Sequence, residues 1–159
     1  MLGAEGRNEF ESSRPYWSPD DTNILLLGDV WFTEDALATV LSRAADGWRF
    51  FGREGSSVRT GSRWGEIFAN SWDGGESERL GRLIDEVRAA QDAGLANSSS
   101  HGWTLLRILQ GTPLQHHMVC SPWWVEVDDE TDDIDFPQDY DLHPATRAAD
   151  DASEAPICA

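Results

Sequence analysis

The chain contains no lysine. All twelve of its basic residues are arginine, set against 29 acidic residues, and the net charge is -17 over 159 residues. No Schiff-base amine or lysine nucleophile can arise here, so a bound phosphate must be met by arginine, backbone amides or a metal ion. The shortage of positive charge also argues against nucleic acid as a partner, because affinity for it rests on neutralising phosphates. Cysteine is nearly absent. Cys120 and Cys158 are too few for a disulfide framework, and Cys120, following Met118 and Val119, reads as buried. No apolar run approaches the roughly 20 residues of a membrane span. The first residues show no charged-then-apolar leader, so the expectation is a cytoplasmic protein with no membrane partner. A Gly-x-Ser-x-Gly nucleophile elbow is missing as well.

What is present is enough apolar material for a packed core: 40% of residues are hydrophobic and eight are tryptophan, in a length suited to one domain. Residues 1–22, with Gly3, Gly6, Pro15 and Pro19 among charges, read as an irregular lead-in. The segment 23–141 reads as the domain. Within it, Ile24-Leu25-Leu26-Leu27 is apolar without alternation and predicts a central strand covered on both faces. Thr33 predicts an N-cap, with a helix to about Ala45 stopped by Gly47. A second strand is expected over 48–52, strand or mixed structure over 64–72, and amphipathic helices over 76–93 and 103–109. Strands are expected over 117–120 and 123–127. Beyond Tyr140 apolar residues run out, and 142–159 reads as a disordered, dispensable tail. This order gives an α/β fold with a mixed sheet and flanking helices.

Two places concentrate chemistry. Asp29 follows the first strand directly and should stand at the carboxyl edge of the sheet, where open α/β sheets bind ligands. Gly28 before it permits close approach of a ligand or an unusual backbone angle. The second place is the acidic segment Glu126 to Asp141, which begins in an apolar strand and includes Ile134, Phe136 and Tyr140. Such anchors imply docking, and docked carboxylates repel unless a hard cation such as Mg²⁺ or Mn²⁺ neutralises them. Arg53, Arg59 and Arg63 lie in a Gly/Ser loop suited to a substrate phosphate, and Trp64-Gly65-Glu66 reads either as core or as a pocket wall. His116 and His117 are adjacent, so on a strand they would face opposite ways and not share an ion. Asp-x-His and Gly-Asn-His partners of a metallophosphoesterase are absent.

Ile24-Leu25-Leu26-Leu27-Gly28-Asp29-Val30 resembles the strand of sugar-phosphate and cofactor nucleotidyltransferases that ends in a metal-binding Asp. Trp124-Val125-Glu126-Val127-Asp128 is similar to the late Trp-x-Glu-Ile-Asp strand of that superfamily. Asp133-Ile134-Asp135-Phe136-Pro137-Gln138-Asp139-Tyr140 resembles the closing motif of its molybdenum-cofactor-type members. The resemblance implies a truncated nucleotidyltransferase or GT-A fold without most of the nucleotide-binding half: either the sequence is a fragment, or a separate chain supplies that half, or this is a degenerate homologue. It implies Asp29 and Asp128 as catalytic metal ligands, Asp135 as the alternate ligand, and Arg59, Arg63 and Glu66 on the acceptor side. Mg²⁺ or Mn²⁺ would be the cofactor, and a nucleoside triphosphate or nucleotide sugar the partner. Two further readings follow from the missing half: a non-catalytic interaction domain, or a GT-A-type glycosyltransferase fragment.

Overall fold

The computed structural model describes residues 8–57, 59–97, 100–120 and 122–142. It is an α/β structure with a four-stranded mixed sheet flanked by helices on both faces. The strands are β1 (Thr22–Leu26), β3 (Arg49–Arg53), β4 (Glu66–Asp73) and β5 (Trp124–Glu126), ordered β1-β4-β3-β5. β4 is antiparallel to both β1 and β3, whereas β5 runs parallel to β3. The carboxyl ends of β1, β3 and β5 therefore meet the amino end of β4 along one edge. A short antiparallel pair, β2 (Val30–Trp31) and β6 (Asp132–Asp133), continues from β1.

The first strand corrects a sequence expectation. β1 is an edge strand, not a central one, and alternates in burial: Asn23 is buried while Ile24 and Leu26 are exposed. Four consecutive branched apolar residues match a β conformation well, but that composition does not distinguish a centre from an edge. The centre is held by β3 and β4, whose residues from Phe50 to Arg53 and from Ile67 to Trp72 are buried. Gly52 in β3 has a packing reason: a Cβ there would stand 2.1 Å from the Glu66 carbonyl oxygen and 2.8 Å from the Trp124 ring.

Two cores lie on the two faces. On one, Phe50, Ile67 and Trp72 pack with Phe10 of α1 (Glu9–Ser13), Leu80, Ile84 and Val87 of α3 (Ser77–Asp92), and Leu105 and Leu106 of α4 (His101–Gln110). On the other, Phe51, Phe68, Ala69 and Val125 pack with Ala36 and Val40 of α2 (Glu34–Arg43). The register slips between Phe51 and Gly52, which pair with Ala69 and Ile67 and leave Phe68 as a bulge. The extra residue reverses the alternation of β4, so Ile67 and Asn70 reach the same side of the sheet.

Helix boundaries follow local chemistry. Thr33 caps α2 by accepting from the Ala36 amide, and Gly111, at φ 68°, closes α4 in the left-handed conformation, as such ends require. The lead-in departs from expectation: Asn8 and Glu11 form a capping box that starts α1, and a 3-10 turn follows at Arg14–Tyr16. Phe10 anchors this turn of helix in the core at 1% exposure. No described residue of 117–120 forms a strand, and Cys120 is only half-buried, held through its amide by the Gln110 side chain. The expectation for 143–159 lies outside the described residues. No helix among them is long and apolar enough to cross a membrane.

Docking of α1 is testable by a single truncation. Phe10→Ala should destabilise the protein by about 3 kcal/mol, the usual cost of emptying a buried phenylalanine site, measured by denaturant unfolding. A change within experimental error would mean that the segment before β1 contributes nothing to the core.

Candidate functional site

The acidic segment is docked, and a buried ion pair stands at the centre of its contacts. The Arg53 guanidinium at the end of β3 meets Asp132 of β6 at 2.7 Å, with the two side chains 8% and 0% exposed. Arg53 also donates to the Thr131 carbonyl at 3.1 Å, and its guanidinium lies 5.4 Å from the centroid of the Phe68 ring. Asp132 accepts from the hydroxyls of Ser57 and Thr60 in the loop that follows β3. Burial alone would raise the Asp132 carboxyl, but the Ser57 hydroxyl and Arg53 outweigh it and hold the group below its ordinary value. Nearby, Asp129 accepts from the Thr33 hydroxyl, and Thr131 donates its amide to Asp129. At the far end of the segment, Asp139 accepts from the Phe136 amide at 2.8 Å and so caps the short helix α5 (Pro137–Tyr140).

With β6 fixed, the carboxylates beside Asp132 point into a cavity of about 610 Å³ at the carboxyl edge of β1. Asp29, Glu66, Asp133 and Asp135 line it, as does Glu9, which stands 3.8 Å from the His101 imidazole; Ile67 and Asn70 of β4 and the residues at the start of α4, from Ser100 to Trp103, also face it. The Ile134 amide donates to the Asp29 carbonyl at 2.7 Å and locks the two acidic stretches together. Among the described residues, no arginine lines this cavity. Burial, followed by the charges of Asp133 and Asp135, raises Glu66 to about 8. Asp133 rises to about 7, again by burial first and then by Asp135 and Asp132. At neutral pH Glu66 holds a proton that an ordinary carboxyl has lost, and Asp133 stands near the midpoint of its titration. Asn70 adds a second anomaly: at 3% exposure, neither its amide nitrogen nor its oxygen has a hydrogen-bond partner. A buried amide left in that state costs free energy comparable to a lost hydrogen bond.

The residues singled out from sequence fall in three places. Asp29, Asp135 and Glu66 share the acid cavity. Asp128 is exposed, two residues beyond the end of β5, and does not line that cavity, so the geometry sets Asp29 beside Asp135 and Asp133. Strand-end position favoured Asp128 in the sequence, but the chain turns after Val127 and brings only the later motif back to β1. Arg59 pairs with Glu130 and donates to the Leu142 carbonyl. Arg63 opens onto a different cavity. The three residues grouped as an acceptor-side set are therefore apart. Gly28 lines the acid cavity with an ordinary backbone angle, and a Cβ there would meet nothing within 4 Å. Asn70 and Asp133 as a liner were not foreseen. Asn70 carries no sequence signal beyond being a polar residue inside a buried strand. Among the described residues, no three or more His, Cys, Asp or Glu are grouped so as to hold a metal ion.

Two outcomes follow. Arg53→Gln strands a buried carboxylate and should cost about 3–5 kcal/mol, read by denaturant unfolding at pH 7; an effect below the cost of an exposed pair would mean that the segment docks by other means. Glu66 is raised above its ordinary 4.5 to about 8, so the folded state binds its proton more tightly. Its contribution is fully present below about pH 4.5 and is lost as pH rises through about 8. Glu66→Gln should therefore leave the melting temperature almost unchanged at pH 5 and raise it at pH 9. Equal shifts at both values would show that Glu66 is not desolvated.

No protein-family model, curated protein or solved structure matches the chain.

Proposed function

We propose that the acid cavity is a divalent-cation site for a phosphorylated ligand, in a domain of nucleotidyltransferase type. Asp29 and Asp135 would hold Mg²⁺ or Mn²⁺, and a nucleoside triphosphate or nucleotide sugar would bring the phosphates. The observation that carries this reading is the convergence of Asp29, Glu66, Asp133 and Asp135, from three separate segments, on one cavity at the carboxyl edge of the sheet. The donor set fits such an ion. Its oxygens are hard, Glu66 and Asp133 are raised by burial first and by neighbouring carboxylates second, and Mg²⁺ needs only one or two carboxylates beside water and phosphate.

Asp29 and Asp135 would hold the cation, whose chemistry there would be charge neutralisation and polarisation of a phosphoryl oxygen. The chain's own residues have distinct tasks. Asp29 and Asp135 bind through carboxylate oxygens. Glu66, protonated at neutral pH, can donate a hydrogen bond from its carboxyl oxygen. Asn70 borders the cavity, with its amide nitrogen and oxygen buried and unpartnered behind that wall. The first turn of α4 has no side-chain cap on Ser100 and presents the positive end of its dipole, which suits a phosphate.

Thermal unfolding in Mg²⁺ or Mn²⁺ tests the reading. Binding to the native state alone should stabilise it by roughly 2.7 kcal/mol when free metal is a hundredfold above its dissociation constant. Asp29→Asn and Asp135→Asn should each abolish most of that gain, and Asp128→Asn should keep it. A gain reproduced by sodium chloride at equal ionic strength, or lost equally in all three variants, would reduce the effect to screening of the net charge.

A further inference from the structure

A second cavity, of about 910 Å³, adjoins the first and shares Ser100 and Trp103 with it. Its chemistry is the reverse. Arg63 and Arg107 line it, together with Trp64, Trp103 and His117; Glu54, exposed, is its acid. The arginines are distinctive. Arg14, Arg43, Arg49, Arg53, Arg59, Arg79, Arg82 and Arg88 each have a carboxylate within 4 Å. Arg63 and Arg107 are the described arginines that have none, and both open onto this one cavity. In a chain of net charge -17, carboxylates are abundant, so two guanidinium groups left without one on a shared wall need a physical reason.

Arg107 is the more constrained of the two. One of its terminal nitrogens donates to the Leu114 carbonyl at 3.1 Å, and its Nε is buried without a partner. Burial lowers its affinity for the proton, the reverse of what an adjacent anion would do. The aromatic walls add a second requirement. Trp64 is 76% exposed, while Trp103 is fixed by stacking on Trp124 at 5.3 Å and by the edge of His117 at 4.6 Å. Tryptophan faces prefer a planar or apolar ring as partner, and arginine forks suit phosphate and carboxylate oxygens.

We propose that this cavity binds a small anion built on a ring, a phosphorylated or carboxylated ring compound. Its oxygens would meet Arg63 and Arg107, and its ring would lie against Trp64 and Trp103. The volume is that of an ordinary small-molecule site. The binding needs no cation, and therefore stands or falls separately from the acid cavity.

The test uses the full chain in a chelator, titrated with phenyl phosphate, benzoate and inorganic phosphate, and followed by tryptophan fluorescence and calorimetry. Saturable millimolar or tighter binding of a ring anion, stronger than that of inorganic phosphate, is expected, and the better of phenyl phosphate and benzoate identifies the anionic group. Arg63→Gln should weaken it roughly tenfold, the loss of one charge-assisted bond. Trp64→Ala should weaken the ring anions and leave inorganic phosphate unaffected. Both side chains are exposed and unpaired, so both variants should keep the wild-type melting temperature. Absence of saturable binding, or equal affinity in wild type and both variants, overturns the proposal. Inorganic phosphate binding as tightly as the ring anions would overturn the aromatic half of it.

Discussion

The pair between Arg53 and Asp132 is the constraint on which the functional edge depends. It joins the end of a central strand to a segment almost eighty residues later, and it does so out of water. A buried pair of this kind adds little over a well-packed apolar substitute, because desolvation offsets most of the attraction. Its value lies in position. Asp132 meets Arg53 on one side of the backbone pairing and lies opposite Trp31 in the register of β6 against β2. That register then decides which neighbouring carboxylates turn inward.

The result is a separation of charge along one edge of the sheet. Acidic side chains are gathered where β1, β4 and β6 meet, and burial, with their mutual repulsion second, raises Glu66 to about 8 and Asp133 to about 7. A few residues away, across Trp103 and Ser100, two arginines stand without counter-ions. Both arrangements are costly for a folded chain on its own, the first through repulsion and the second through desolvation. Each would be relieved by a ligand of the opposite charge, as proposed for the two cavities. The orphaned Asn70 amide is a third unsatisfied group in the same region. Local departures from satisfied packing concentrate where a fold serves function.

Much of the architecture was legible in the sequence because period and punctuation are local. The helices over 34–43, 77–92 and 101–110 follow from apolar spacing, Thr33, and glycines at their ends. The docking of the acidic segment was also legible, from apolar residues placed among the carboxylates. The placement of β1 was not. A run of four branched apolar residues states that the chain is extended, and edge or centre depends on which other strands pair with it.

The candidate site divides the same way. Asp29 at a strand end and Glu66 before an apolar strand are readable from order along the chain. The choice of Asp135 over Asp128 as neighbour of Asp29 is not, since both follow apolar anchors and both belong to the same charged run. The turn after Val127 and the Arg53–Asp132 pair make that choice. Composition by itself fixed the overall field and the absence of lysine, which leaves arginine, backbone amides or a metal ion to meet an anion. Only the tertiary structure decided which arginines remain unpaired, because pairing depends on distances between residues far apart in the chain.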